Sequence, residues 1–250
     1  MKTQIISENT IMVYFTSTID VETSEKVTQA LYTLQGSLGD FILDAISSYH
    51  SILITIDILQ TNMSDFQQQV EALLNQPLFT SRSLQHLEIE LPVYYGEEVA
   101  LDATEICKHS GLSWTEVIEV HSQTNYRVYA IGFAPGFAYL GNLDSRLQIP
   151  RKSTPRAKVP KGSVAIAEQQ TAVYPKVSPG GWHIIGRTPI SLVDFERDNL
   201  SLFYIGAQIR FKAISRQKFL DMGGDLDEDL GLAGQLDSSR LSDNDKRMKS

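Results

Sequence analysis

Between Gly132 and Thr188 glycine and proline recur so often that the turns of this stretch are set by covalent geometry. The run Gly132-Phe133-Ala134-Pro135-Gly136-Phe137-Ala138-Tyr139-Leu140-Gly141 is followed by Pro150-Arg151, Pro155-Arg156 and Val159-Pro160-Lys161-Gly162-Ser163. It closes with Ser178-Pro179-Gly180-Gly181-Trp182-His183 and Gly186-Arg187-Thr188. Glycine allows positive φ and close backbone approach, whereas proline fixes φ and removes a donor. Such a segment suits the corners of a β-barrel, which need many turn residues. It also suits a binding site, because Phe133, Phe137, Tyr139, Arg151, Arg156, Trp182, His183 and Arg187 are interleaved with the turns.

Upstream, hydrophobic periodicity divides the chain. Ile11 to Phe15 and Ser51 to Asp57 read as buried strands, and Phe41 to Ile46 is ambiguous between strand and helix. Val27, Ala30, Leu31 and Leu34 repeat at helical spacing within Thr23 to Gln35, with Gly36 placed to end that helix. Ser64 with Gln67 reads as a capping box for a second helix, which Pro77 ends. The order is that of a split βαβ, ferredoxin-like unit, and it predicts a small N-terminal α+β domain over 1–84.

A strand at Leu87 to Val93 opens a second domain over 85–215. Two cap signals follow, Asp102 with Glu105 and Ser113 with Glu116, with Gly111 between the helices. Beyond them Tyr126 to Ile131, Ser163 to Ala167, Ala172 to Tyr174, His183 to Arg187, Ile190 to Phe195 and Gln208 to Ala213 read as short strands. Turn signals roughly every 8–12 residues between them fit a barrel or sandwich. The stretch 216–250 is acidic and poor in large apolar residues, and it reads as a disordered or weakly helical tail. The expected class is therefore α+β, a small ferredoxin-like domain followed by a β-barrel.

Composition excludes several functions. A formal net charge of −8 argues against nucleic acid as the main partner. The single cysteine, Cys107, excludes an internal disulfide and fits a reducing compartment. No apolar run reaches the ~18–20 residues of a membrane span, and polar residues 7–10 interrupt any signal peptide, so a cytoplasmic protein is expected. There is no phosphate-binding Gly-x-x-x-x-Gly-Lys-Ser/Thr and no Gly-x-Ser-x-Gly elbow. Ser163 follows Gly162 but stands at the head of a strand.

The five histidines show no metal-ligand spacing, so no metal is expected. His183 stands out because Gly180-Gly181-Trp182 before it could leave its imidazole facing a pocket, together with Arg187. His121 lies near a helix C-terminus, which favours imidazolium. Arg151, Lys152, Arg156, Lys158 and Lys161 form either a solvated loop or an anion or partner contact. Tyr139 and Trp182 serve either as core aromatics or as pocket walls.

At Gly132–Gly141, Pro155–Ala167 and Ser178–Pro189 the chain resembles the family of the 5-oxoprolinase B subunit, also called the KipI or allophanate hydrolase subunit 1 family. The resemblance implies an N-terminal α+β domain and a cyclophilin-like β-barrel. It implies work with the C (KipA-type) and A subunits of 5-oxoprolinase, the first of them a related barrel protein. Together such subunits open 5-oxo-L-proline to L-glutamate, with ATP used at the level of the complex. Related modules handle urea in the carboxyltransferase part of urea carboxylase. Carried onto this chain, Pro135, Gly136, Phe137, Ser178, Gly180, Gly181 and Trp182 would wall a pocket for the lactam. Arg156 and Arg187 would meet a carboxylate or phosphate, and Gln170 and Thr171 would read the amide. His183, Arg187 and His121 are the candidate catalytic residues. The KipI name also implies a competing role, inhibition of a sensor histidine kinase; the barrel alone suggests a prolyl isomerase only by analogy.

Overall fold

The computed structural model describes residues 1–16, 20–76, 88–196 and 200–226. Its first elements are β1 (Lys2–Ile5), β2 (Thr10–Tyr14), α1 (Val21–Leu38), β3 (Ile42–Ser47), β4 (Ser51–Ile56) and α2 (Met63–Leu74). Next come β5 (Glu88–Val93), α3 (Ala103–Ser110), α4 (Trp114–Gln123), β6 (Asn125–Ile131), β7 (Ala138–Gly141), β8 (Arg156–Val159) and β9 (Ser163–Ala167). The last are β10 (Gln170–Val173), β11 (Ser178–Gly180), β12 (His183–Arg187), β13 (Gln208–Ala213) and α5 (Arg216–Asp221). The chain is of α+β class, a helix-bearing four-stranded sheet followed by a barrel-type set of antiparallel strands. Two compact units emerge: Met1–Ile89, Asn125–Asn142 and Glu196–Arg210 form one, and Glu90–Thr124, Leu143–Phe195 and the chain from Phe211 form the other.

In the first unit the sheet runs β1-β2-β4-β3, with every neighbouring pair antiparallel. β2, α1 and β3 form a split βαβ, with β4 inserted between its strands. β1, which periodicity did not reveal because it is mostly exposed, pairs Lys2 with Tyr14 and Ile5 with Ile11 to supply the fourth strand. The ambiguous segment at Phe41 resolves into β3 because it pairs with β4 along its length. Ile11, Val13, Val27, Leu34, Ile52, Ile54, Ile56, Phe66 and Val70 build the core, each worth about 1.5–3 kcal/mol relative to exposure.

Both helix boundaries differ from the sequence reading. Asp20 caps α1 by accepting from the Thr23 N–H at 2.7 Å. The helix runs through Gly36, since Leu38 extends the buried stripe one turn beyond Leu34. Asn62 caps α2 by accepting from the Asp65 N–H, two residues ahead of the expected Ser64. Pro77 and the 84/85 boundary lie outside the described residues.

β6 pairs with β7 and with Gln208–Arg210 of β13. From β6 the buried Arg127 donates to Ser24 Oγ (3.0 Å), Thr28 Oγ1 (3.3 Å) and the Gly206 carbonyl (3.3 Å). Burial lowers its pKa, and the nearby Glu25 charge opposes that shift.

In the second unit β9 lies between β10 and β12, buried along its whole length. β8 and β11 form a separate ribbon. β7, β8 and β11 were not expected as strands, because each is only three or four residues long and lies among glycines and prolines. Ile190–Phe195, expected as a strand, is irregular: Leu192 is buried but Phe195 is 84% exposed. Beyond Ser215 the expected tail begins instead with α5, whose Phe219 is buried against Tyr94 at 5.6 Å between ring centroids. Residues 227–250, also placed in that tail, lie outside the described residues. No helix among the described residues is long and apolar enough to cross a membrane.

α3 ends on Gly111 at φ 72°, a left-handed C-cap, and α4 begins on a complete capping box between Ser113 and Glu116. Ser113→Ala removes one half of that box. It should cost about 1 kcal/mol and lower the melting temperature by roughly 2–4 °C in thermal unfolding; an unchanged midpoint would mean that α4 is held by packing alone.

Candidate functional site

Asp102 stands at the N-cap of α3, yet its side chain makes no capping bond. It is turned instead to a cluster in the second unit. Asp102 Oδ2 accepts from Arg156 Nη1 (2.7 Å) and the Ile184 N–H (2.7 Å), and Oδ1 accepts from Arg156 Nη2 (2.8 Å) and Lys152 Nζ (2.9 Å). The Asp102 N–H in turn donates to the Ile184 carbonyl at 3.1 Å, so α3 and β12 are tied reciprocally. Burial alone would raise the Asp102 pKa, but bonds from Arg156, Lys152 and the Ile184 N–H outweigh it and hold the carboxyl below its ordinary value. One helical turn on, Glu105 accepts from Lys152 Nζ at 2.7 Å, and that bond lowers its pKa as well.

His183, at the head of β12, joins this cluster. It is 1% exposed, and its Nε2 lies 3.0 Å from the Pro150 carbonyl. A carbonyl only accepts, so Nε2 is the nitrogen that donates, and Nδ1 is left facing Glu105. Nδ1 is buried, has no hydrogen-bond partner and lies 3.6 Å from Glu105 Oε2. Above it opens a groove of about 630 Å³ whose walls include Glu105, Lys108, His109, Arg151, Lys152 and His183. Arg151 packs over the buried Trp182 ring at 5.8 Å and faces Glu168 at 3.6 Å. The Gly181 carbonyl accepts from the Lys152 N–H at 2.8 Å, which fixes the wall from which the lysine side chain reaches in.

The other candidates are distributed differently. Arg156 is on a strand rather than in an exposed basic loop, and the carboxylate it meets is Asp102. Ser178 and Gly180 lie on β11 opposite Val159 and Arg156. A Cβ on Gly180 would stand 2.2 Å from the Tyr174 hydroxyl, so a larger residue there would have to displace that ring. Gln170 is half-buried at the start of β10.

Thr171 and His121 are fully buried, away from the groove walls. Thr171 donates to the Ala165 carbonyl (3.0 Å), His121 Nε2 donates to Thr171 Oγ1 (3.1 Å), and Tyr95 donates to His121 Nδ1 (2.8 Å). Phe211 stacks on the imidazole at 4.6 Å. Burial pushes the His121 pKa down to about 3, so it is neutral, not the imidazolium that its place near a helix C-terminus suggested. Desolvation outweighs the helix dipole here.

His183 and Arg187 do not share a cavity. On a regular strand residues four apart face the same side, but β12 has a register shift between Ile184 and Gly186. His183 therefore lies opposite Ile166 while Arg187 lies opposite Ser163, three residues away and on the other face. Arg187 is buried, donates from Nη1 to the Asp225 carbonyl at 2.8 Å, and lines a cavity of about 80 Å³ with Lys161, Phe219 and Gly224.

Pro135, Gly136, Phe137 and Tyr139 belong to the first unit. Gly136 is left-handed (φ 81°), which turns the chain tightly enough for the Phe137 N–H to reach the Ala134 carbonyl at 2.9 Å, and Phe133 just before the turn is left-handed as well (φ 71°). Phe137 is buried edge-to-face between Phe133 and Tyr139, while Pro135 is exposed.

Residues 1–203 match the family model of the carboxyltransferase domain, subdomain C and D. The chain belongs to this family. The resemblance read from the turn-rich motifs holds as well, for this carboxyltransferase-domain chain is similar to proteins named as the B subunit of 5-oxoprolinase. It is 44% identical over 131 residues to that of Bacillus subtilis, covering 52% of this chain and 55% of the relative. To that of Escherichia coli O157:H7 it is 47% identical over 123 residues, covering 49% and 56%. The chain spans about half the length of the curated relatives it matches.

Among solved structures, TTHA0988 superposes with a TM-score of 0.73 at 28% identity, covering 86% of this chain and 40% of that one. A protein of Pyrococcus horikoshii, PH0987, gives 0.53 at 32%, covering 87% and 100%. Kluyveromyces lactis urea carboxylase gives 0.64 at 16%, covering 85% and 22%, a likeness of fold alone.

In this carboxyltransferase-domain chain the sequence did not reveal that Asp102, Glu105, Lys152, Arg156 and His183 converge. Asp102 and Glu105 read as a helix cap and Lys152 as part of a basic run. The separations of 50 and 54 residues between Asp102 and its two cations leave no local pattern to find. The absent capping bond is visible only in the structure. Chemically the cluster sets two carboxylates, an ammonium, a guanidinium and an imidazole together, with Glu105, Lys152 and His183 in the groove walls.

Proposed function

We propose that this chain is the B subunit of an ATP-dependent 5-oxoprolinase, opening 5-oxo-L-proline to L-glutamate together with the A and C subunits in the cytoplasm. One observation carries the reading: three proteins named as 5-oxoprolinase B subunits are 43–47% identical to it over about half of the chain. The chemistry suits a shared task. A lactam amide is a poor electrophile, and phosphorylating its oxygen gives a leaving group and a carbon that water can attack. Groups around the developing charge must be fixed in advance. ATP is used by the complex in this reading, since no phosphate-binding glycine loop occurs in the chain. The groove beside His183 takes the small anionic lactam, with Arg151 and Lys152 as its cations.

The test is ADP release dependent on 5-oxoproline. The purified chain alone is expected to give none, and the chain mixed with the A and C subunits is expected to give turnover. Turnover by the single chain at the rate of the full mixture would overturn the subunit reading. No turnover in any combination would favour the kinase-inhibitor or urea-handling alternatives.

A further inference from the structure

Asp102, Glu105 and His183 each bring a ligand atom to within 4.8 Å of the other two. The imidazole makes this more than a pair of carboxylates. Its Nε2–H is spent on the Pro150 carbonyl at 3.0 Å, so Nδ1 is the nitrogen left to bind a ligand, and it has no hydrogen-bond partner inside a side chain that is 1% exposed. A buried nitrogen without a hydrogen-bond partner costs free energy, and Glu105 Oε2, 3.6 Å away, is too far to supply that bond. A cation between the two atoms would satisfy both. The bond from Nε2–H to a backbone carbonyl is also the support that orients metal-ligating histidines and fixes their tautomer. Two atoms each ~2.0–2.2 Å from zinc lie roughly 3.3–3.6 Å apart across a tetrahedral edge, which the Nδ1–Oε2 separation meets.

We propose that Asp102, Glu105 and His183 form a site for one divalent transition-metal ion of zinc type, its open position facing the groove. The Lys152 ammonium, 2.9 Å from Asp102 and 2.7 Å from Glu105, neutralises the two carboxylates in the metal-free state. Metal binding exchanges it out into the groove. Arg156 and the Ile184 N–H keep Asp102 in place on its Oδ2 side. One nitrogen, two carboxylates and an open position make an N/O donor set that suits zinc, and manganese less well.

Calorimetric titration of the full chain with zinc chloride, and separately with manganese chloride, tests the site at pH 7. The expected result is one zinc per chain. Glu105→Gln and His183→Gln should each weaken it by roughly tenfold or more, and Lys152→Gln should tighten it by removing the competing cation. Glu105 has an exposed side chain, so Glu105→Gln decides the matter if His183→Gln does not fold. Failure of both the wild type and Lys152→Gln to take up one equivalent of zinc would overturn the proposal. Uptake unchanged in Glu105→Gln, or weakened by Lys152→Gln, would overturn it equally. Because the readout is binding, it stands or falls separately from 5-oxoproline turnover.

Discussion

Asp102→Ala is expected to unfold about 6–20 °C below the parent chain, a loss of about 3–5 kcal/mol. The carboxylate is 4% exposed and receives two bonds from Arg156, one from Lys152 and one from the Ile184 N–H. Its removal leaves two cations and an amide facing each other in a partly dry space, and the uncompensated charges set the size of the effect. Because the Asp102 pKa is depressed in the folded state, its contribution is complete above the unfolded value of about 4. It is lost as pH falls through the lower folded value. Thermal unfolding of Asp102→Ala beside the parent should therefore show a large gap at pH 7 that closes in strong acid. A gap below about 2 °C at pH 7 would mean that the ion cluster is solvated and stabilises little.

The second large effect is an acid transition set by His121. Its pKa is pushed down to about 3 by complete burial, against about 6.5 in an unfolded chain. Between those values the unfolded chain binds the proton and the folded chain does not, so stability is complete above about 6.5 and falls with pH. At about 1.36 kcal/mol per pH unit the loss approaches 4–5 kcal/mol near pH 3. Gln at this position keeps a donor toward Thr171 and an acceptor toward Tyr95 without a titrating group. Urea unfolding at a series of pH values should show a shallower acid slope for His121→Gln than for the parent. Equal slopes would place the acid sensitivity elsewhere.

The sequence revealed what local periodicity encodes. The α1 stripe, β4, β9, β12 and the Ser113 capping box can be read from residue spacing because each obeys a rule that operates within one element. β1 escaped because it is an exposed edge with no apolar alternation, and β8 and β11 because glycine and proline mask short strands. Gly36 and Ser64 misled because another residue was better placed, Leu38 to continue a buried stripe and Asn62 to cap. At the site, His183 was singled out by the thin backbone before it. The charges that surround it were not, because Asp102 and its partners meet only through tertiary structure. The pairing of His183 with Arg187 failed on a single register shift, for which Gly186 inside the strand is the one signal in the sequence.

The arginine at the centre of the first unit has a consequence for the order in which the chain assembles. β1 through β4 pair among residues that all emerge by Ile56, so the four-stranded sheet is complete in sequence early. The polar notch on α1 is not. Ser24 receives its bond from a residue 103 positions downstream, and Thr28 from the same side chain 99 positions on. At a synthesis rate of about 5–20 residues per second, that interval is roughly 5–20 s. Through it the helix presents two hydroxyls to water on a face that is later sealed by a guanidinium. Until Arg127 follows, the two hydroxyls make that point of α1 polar rather than a bare apolar surface.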